Sequence, residues 1–169
     1  NGTGFSFDYL VLALGADTDY FGIPGLKENA MVLRGIEDAR RIRERVAEFL
    51  IAHNPPQPSL NLREGAVPFS IVIGGAGATG AELAAELAYQ FRNIPKEQWS
   101  VTLVEALRNV LWMFPLGVSQ YAHKRLEELG VKLMMDTCIK SVEPAQISAK
   151  QKFQSGEVVI VLAPRPLKT

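Results

Sequence analysis

Apolar residues recur along the chain with two different spacings, which predict alternating strands and helices. A continuous apolar run is typical of a buried strand, whereas apolar residues three or four positions apart predict a helix with one buried face. The runs place strands at 7–14, 69–74, 100–105 and 131–136, with shorter strands at 138–143 and 157–162. The helical spacing places helices at 35–53, 79–92 and 116–129. Segment 54–65, NPPQPSLNLREG, fits neither pattern and is predicted to be a connector.

The order of these elements predicts an α/β fold. Between 69 and 136 the elements alternate as strand, helix, strand, helix, strand, which is typical of a Rossmann-like βαβαβ unit with a parallel sheet and right-handed crossovers. Gly130 directly follows the last helix of this unit and predicts a left-handed helix stop. Beyond 136 the pattern changes, and we expect a small antiparallel meander over 138–162. The whole is expected to form three layers.

Residues 75–80, GAGATG, match G-x-G-x-x-G at the turn from the first strand of this unit into its helix. Gly75 would allow the tight turn, Gly77 would let a diphosphate approach the backbone, and Gly80 would let the helix lie close to the sheet. The unpaired N–H groups at the helix start attract phosphate. A glycine-rich turn that serves packing alone is the alternative, but the strand before it and the helix after it favour a dinucleotide site. The other residues of the predicted turn are Ala76, Ala78 and Thr79.

Acidic and basic residues near this turn are further candidates. Glu105 ends the next strand, where a carboxylate would bind ribose hydroxyls and repel a 2′-phosphate, favouring NAD(H) over NADP(H); a strand-end carboxylate that faces solvent is the alternative. Ala106 and Arg108 follow as candidate cofactor contacts, although an exposed surface arginine fits Arg108 equally well. Glu82 lies in the first helical turn, where the helix dipole alone would explain it. The alternative hypothesis is that Glu82 faces the nicotinamide of a bound cofactor. The sequence pattern does not decide between these two explanations of Glu82.

Composition excludes several classes of function. Eighteen Lys and Arg balance 18 Asp and Glu, so no basic surface for nucleic acid or an anionic membrane is expected. A single cysteine, Cys138, excludes an internal disulfide and a CxxC pair, and we expect it to be a small apolar filler. Neither of the two histidines has metal-ligand spacing, so no metal site is expected. No apolar run approaches the ~20 residues of a membrane span, and no signal segment is evident, which makes a cytoplasmic location the default.

Trp112, Met113 and Phe114 precede the helix at 116–129. They fit either an aromatic lid over a ligand or a hydrophobic staple at the helix entry.

Five stretches of the chain resemble type II NADH dehydrogenases, which belong to the two-dinucleotide-binding-domain flavoproteins related to the pyridine nucleotide-disulfide oxidoreductases. The stretches are FDYLVLALGADTDYFGIPGL, GIEDARRIRERV, SIVIGGAGATGAELAAEL, VTLVEA and YAHKRLEELGVKL, in the family's order. The resemblance implies an NAD(H)-binding domain inserted into an FAD-binding domain. In such enzymes NADH passes a hydride to FAD, and the flavin then reduces a quinone at the membrane surface.

The resemblance also implies roles for individual residues. The three motif glycines match the family's pyrophosphate turn, and Glu105 matches its ribose-binding acid. Glu82 matches a glutamate close to the nicotinamide and flavin, which favours a catalytic role for it. Gly15 ends a strand that lies beside the flavin domain in the family, and it is a candidate cofactor contact. Ala78 stands where the family usually has proline.

The family pattern further implies that this chain is a central piece of a longer enzyme. Residues 1–25 would be a remnant of the FAD-binding domain with a linker, and residues 26–169 the NAD(H)-binding domain. The FAD fingerprint is missing, so FAD is expected in the parent enzyme and no turnover is expected from this chain alone. NADH and the missing flavin and quinone modules are the expected partners, and the bare apolar strand near the N-terminus would allow a homodimer. The parent would be peripheral on the cytoplasmic face of a membrane.

Two alternatives stay open. A related flavoprotein reductase or NADH oxidase with a soluble acceptor would share most of these motifs. A non-catalytic nucleotide-binding or interaction module would share the glycine-rich turn.

Overall fold

The computed structural model describes residues 4–13, 17–53, 69–143, 146–149 and 158–162. Its helices are α1 (Leu26–Asn29), α2 (Ile36–His53), α3 (Ala78–Gln90) and α4 (Leu116–Leu129), with a 3₁₀ turn at Lys96–Gln98. Its strands are β1 (Met31–Val32), β2 (Phe69–Gly74), β3 (Trp99–Val104), β4 (Lys132–Met134), β5 (Ile139–Glu143), β6 (Gln146–Ala149) and β7 (Val158–Leu162). The predicted connector at 54–65 lies outside the described residues.

Five strands form one parallel sheet in the order β1-β7-β2-β3-β4. Strands β2 and β3 pair along their whole length, from Phe69 opposite Trp99 to Gly74 opposite Val104. Every residue of β2 is buried, because layers cover both faces of a parallel sheet and the strand is therefore apolar without alternation. The predicted α/β fold and its Rossmann-like βαβαβ unit are confirmed.

The sheet separates two apolar clusters, which gives the predicted three layers. On one face, Ile73 and Leu103 pack in a cluster with residues of α2, α3 and α4. On the opposite face, Val104 packs with Leu26 of α1 and Val142 of β5. Successive side chains of a strand point to opposite faces, so the same strands serve both clusters.

Aromatic rings fix the helices at the N-terminal ends of β2 and β3. Phe49 of α2 stacks on Phe69 with 4.5 Å between ring centroids and meets Phe91 edge-on at 5.4 Å. Trp99 lies 5.3 Å from Phe91, and its indole N–H donates to the Ile94 carbonyl at 3.1 Å. These contacts hold together the edge of the sheet at the N-terminal ends of the strands, opposite the edge at which α/β sheets usually bind ligands.

The strand predicted at 7–14 is wrong over the residues that the structure describes. Residues 7–13 have no strand, and the side chains of Tyr9 and Val11 are 93% and 85% exposed. A strand is stable only where another strand satisfies its N–H and C=O groups, and no described strand pairs with this segment. The last residue of the predicted strand, Leu14, lies outside the described residues.

The predicted meander over 138–162 is also wrong in its second half. Strand β5 pairs antiparallel with β6 to form a small hairpin, whereas β7 enters the main sheet parallel to β1 and β2. Residues 158–162, VVIVL, form a continuous apolar run, which is typical of a central strand covered on both faces. Because β7 is near β5 along the chain, the sequence suggested β5 as the pairing partner of β7, and this was wrong. Strands β1 and β6 are too short to show a periodic signal, and the sequence did not predict them.

A close backbone contact joins the turn before α1 to the hairpin. Gly25 has a left-handed φ of +72°, and a Cβ at this position would overlap the carbonyl oxygen of Val142. The Val142 N–H donates to the Pro24 carbonyl at 2.9 Å. The turn and β5 therefore touch through backbone atoms, which leaves no room for a side chain.

Replacing Gly25 with alanine is expected to lower the free energy of unfolding by about 2 kcal/mol, since left-handed strain and backbone overlap add together. Thermal denaturation measures the loss. Gly22→Ala is the matched control, because Gly22 has a similar φ of +63° but no atom within 4 Å of a Cβ. Equal losses in the two variants would contradict the close contact with Val142.

Candidate functional site

The glycine-rich turn begins with a backbone conformation that favours glycine. Gly75 has a φ of +99°, in the region where a Cβ atom causes strain. Its N–H donates to the Val104 carbonyl at 2.8 Å. The first residue of the turn is therefore still hydrogen-bonded to β3. The turn then brings the start of α3 to the C-terminal edge of the sheet.

The start of α3 is open. Gly77 occupies the N-cap with φ −71° and ψ −172°, and no side chain caps the helix there. Its carbonyl accepts from the Ala81 N–H at 3.0 Å, so the N–H groups of residues 78–80 precede the first intrahelical bond. Apart from Gly77 itself and its neighbours along the chain, no described atom lies within 4 Å of the place where a Cβ of Gly77 would stand. The arrangement leaves a hollow beside the positive end of a helix, which suits an anion.

Glu105 is held at the end of β3 by backbone groups. Its Oε2 accepts from the Ala76 N–H at 2.8 Å, and its Oε1 accepts from the Leu107 N–H at 3.0 Å. The side chain is half-buried, unlike a strand-end carboxylate that moves freely in solvent. Since each carboxylate oxygen accepts about two hydrogen bonds, both oxygens keep acceptor capacity for ligand hydroxyls.

One cavity of about 620 Å³ joins these features, a volume typical of ligand sites. Residues at the end of β2 and the start of α3 line it, and so do residues at the end of β3 and in three other segments. From β2 and α3 come Gly74, Gly75, Gly77, Ala78 and Thr79, and from the end of β3 come Val104, Glu105 and Ala106. The other segments contribute Asp19, Phe21, Ile23 and Leu26, then Trp112 and Met113, and finally Thr137, Cys138 and Ile139. The charged residues among them are the acids Asp19 and Glu105. An anion in the cavity therefore finds no cationic side chain among these residues, only neutral donors such as backbone N–H groups and hydroxyls. An extra phosphate near Glu105 would be repelled.

The structure brings six of the predicted site residues together on this cavity: Gly75, Gly77, Ala78, Thr79, Glu105 and Ala106. Ala76 and Gly80 are buried behind the turn instead, where Ala76 uses its N–H to hold Glu105. Arg108 does not line the cavity. Its side chain is 84% exposed, and its Nε lies 3.7 Å from Oδ2 of Asp136. Glu82 is exposed on α3 and does not line the cavity either. Gly15 lies outside the described residues.

Several cavity residues were not predicted. Asp19, Phe21 and Ile23 belong to a stretch whose glycines and proline indicated only a turn, and no local signal shows that this turn folds over the end of the sheet. Cys138 was expected to be an apolar filler, which is wrong, because it is exposed at the cavity. Its neighbour Thr137 lines the cavity as well.

Trp112 and Met113 also line the cavity. The alternative of a hydrophobic staple fails. A staple pairs an apolar residue before the N-cap, here Phe114, with an apolar fourth residue of the helix. The fourth residue of α4 is Ser119, which is polar.

Within the described ranges, no three His, Cys, Asp or Glu side chains cluster as metal ligands would. None of the described helices combines the length and apolar character needed to cross a membrane.

A family model for pyridine nucleotide-disulphide oxidoreductases matches residues 1–163. The chain belongs to this family. Its curated relatives include the mitochondrial external alternative NADH-ubiquinone oxidoreductase of Yarrowia lipolytica, which is 38% identical over 158 residues, or 89% of this chain. The mitochondrial external alternative NAD(P)H-ubiquinone oxidoreductase B3 of Arabidopsis thaliana is 35% identical over 160 residues, or 90% of this chain. The chain covers only 26% and 27% of the two relatives' own lengths.

Two solved structures of other proteins share the fold. NDH2 from Plasmodium falciparum in complex with NADH superposes with a TM-score of 0.76 at 22% identity, covering 98% of this chain and 36% of that chain. A ferredoxin reductase from Rhodopseudomonas palustris superposes with a TM-score of 0.66 at 19% identity, covering 95% of this chain and 35% of that chain. At these identities the likeness supports the fold alone.

Proposed function

We propose that this chain carries the NADH-binding site of an FAD-dependent NADH:quinone oxidoreductase. One observation carries the proposal: the open N-cap at Gly77 and the fixed carboxylate of Glu105 line the same cavity. An uncapped helix start binds a diphosphate, and an acid at the end of the next strand binds the adjoining ribose.

The cavity favours one arrangement of the nucleotide. The diphosphate lies at residues 77–80, the adenosine ribose bonds to Glu105, and the adenine lies against the apolar residues beyond it. Because Asp19 and Glu105 are the charged residues among the described cavity lining, a 2′-phosphate would lack a cationic partner. We therefore propose NADH, rather than NADPH, as the donor.

Family membership supports the further parts of the proposal. Residues 26–169 form the NAD(H)-binding domain, and residues 1–25 belong to the flavin-binding domain and its linker. In the parent enzyme FAD supplies a two-electron acceptor for the nicotinamide hydride. The family resemblance alone supports a role for Glu82, which lies outside the cavity lining, at the nicotinamide end, and a role for Gly15 on the flavin side. In the parent, the exposed apolar segment around Tyr9 packs against the rest of the flavin-binding domain. Where that domain is absent, the same segment would pair two copies of this chain.

A quinone is the proposed final acceptor, and the names of the curated relatives support it, since both are ubiquinone oxidoreductases. The parent is proposed to be a peripheral protein whose NADH site faces the cytoplasm.

Isothermal titration calorimetry of the purified chain with NADH and with NADPH tests the proposed function. We expect NADH to bind at least about tenfold more tightly, which corresponds to about 1.4 kcal/mol, and ADP-ribose to compete with it because ADP-ribose retains the diphosphate and both riboses. Equal affinity for NADH and NADPH, or no binding of either, would contradict the proposal.

A further inference from the structure

Residues 110–114, called here the wall segment, run between the end of β3 and the start of α4. Trp112 and Met113 of this segment line the cavity. Leu111 directly before them has a left-handed φ of +53°, a conformation that costs a residue with a Cβ about 1–2 kcal/mol. Backbone strain of this kind persists only where surrounding contacts hold it.

Three hydrogen bonds hold the wall segment. The Leu111 N–H donates to the Ala76 carbonyl at 2.8 Å, and the Phe114 N–H donates to the Leu111 carbonyl at 2.8 Å. The hydroxyl of Ser119, in the second turn of α4, donates to the Val110 carbonyl at 2.6 Å. Ser119 is the side-chain donor among the three, and it is 4% exposed while Val110 is fully buried.

These contacts form a chain from α4 to the ribose-binding acid. Ser119 fixes Val110, the next residue bonds to the carbonyl of Ala76, and the N–H of Ala76 bonds to Oε2 of Glu105. The wall that carries Trp112 and the carboxylate of Glu105 are thus held by one connected set of bonds. A site that is already ordered before the ligand arrives binds more tightly, because less conformational entropy is lost.

We infer that Ser119 is a positioning residue for NADH binding: its hydroxyl holds the wall segment in its strained turn, so that Trp112 contacts the nucleotide. Ser119 itself lies outside the cavity lining. The inference rests on the proposed function, since it concerns the same cavity. Without the hydroxyl, the buried Val110 carbonyl loses its partner and the turn at Leu111 can relax away from the cavity.

The test compares Ser119→Ala with Ser100→Ala. Ser100 donates its hydroxyl to Ser70 at 2.9 Å near the N-terminal ends of β3 and β2, so the control removes a similar bond at the opposite edge of the sheet. We expect Ser119→Ala to weaken NADH binding about fivefold, and Ser100→Ala to leave the affinity unchanged, with circular dichroism showing both variants folded. Should Ser119→Ala not fold, Ser119→Cys takes its place, because it keeps the volume with a weaker donor.

Acrylamide quenching of tryptophan fluorescence gives a readout that a general loss of stability would not move. The sequence has two tryptophans, and Trp99 is 3% exposed whereas Trp112 is 46% exposed, so acrylamide mainly reports on Trp112. Saturating ADP-ribose, which lacks the nicotinamide that absorbs tryptophan emission, is expected to shield Trp112 in the unmodified chain. Shielding should be reduced in the Ser119 variant even at saturation.

The outcomes separate the two proposals. If the unmodified chain binds neither NADH nor ADP-ribose, the proposed function fails and this inference fails with it. If the unmodified chain binds, but the folded Ser119 variant binds within twofold of it or shields Trp112 equally well, only the role of Ser119 is overturned. Absence of shielding in the unmodified chain also overturns it, because the wall segment would then not contact the nucleotide.

Discussion

Replacing Gly77 with valine is expected to remove most of the affinity for NADH while the chain stays folded. The backbone at Gly77 has ordinary dihedral angles, and beyond its neighbours along the chain nothing in the described structure lies within 4 Å of an added Cβ. The new side chain would therefore fit the fold and occupy the hollow where the diphosphate is proposed to lie. Loss of the close approach to the N–H groups of residues 78–80 is expected to reduce affinity about 100-fold or more, which is about 2.7 kcal/mol.

Gly35→Val provides the matched control for this substitution. Gly35 takes the same position before α2, since its carbonyl accepts from the Ala39 N–H at 3.1 Å, and it too has open space at the Cβ. Both variants should lose about 1 kcal/mol of stability, because valine is a poorer N-cap than glycine. Calorimetry with NADH should then separate them. If Gly77→Val binds NADH as well as Gly35→Val does, the diphosphate does not lie at this turn.

The elements that form the proposed phosphate and ribose contacts could be predicted because their signals are local. The apolar run of β2, the G-x-G-x-x-G turn and the Ala-rich start of α3 follow one another within 20 residues, and each limits the conformation of the next. Strand β3, which Glu105 directly follows, lies beside β2, as sequential strands of a βαβ unit usually do. A sequence pattern was therefore enough to place Gly77 and Glu105 at one edge of the sheet.

The rest of the cavity depends on contacts that no local pattern records. Phe21 reaches the cavity because the turn at Gly25 packs on the backbone of Val142, more than 100 residues later in the chain. Strand β7 joins β2 although 83 residues, 75–157, lie between the two strands along the chain. Both contacts are long-range, and apolar composition alone specifies burial rather than the partner. The sequence thus predicts the phosphate turn better than the walls around it.

Replacing Glu105 with glutamine is expected to weaken NADH binding about 50-fold, or about 2.3 kcal/mol, since hydrogen bonds from hydroxyls to a charged acceptor contribute about 1.5–3 kcal/mol. An amide has one carbonyl oxygen in place of two carboxylate oxygens. The backbone N–H groups of Ala76 and Leu107 each donate to one oxygen of Glu105, so the amide nitrogen of the variant would face one of these donors. The ribose hydroxyls would lose an acceptor at the same time.

Comparison with NADPH distinguishes ribose binding from a structural role of the same carboxylate. If Glu105 only held the turn through Ala76, its replacement would weaken NADH and NADPH equally. If it also binds the ribose and repels a 2′-phosphate, NADPH affinity should stay unchanged or rise while NADH affinity falls, and the preference for NADH should shrink with it. Glu97→Gln is the control, because Glu97 is exposed in the 3₁₀ turn before β3, at the opposite edge of the sheet. An unchanged ratio of NADH to NADPH affinity in Glu105→Gln would assign the carboxylate to the fold alone and leave the choice of nucleotide to other residues.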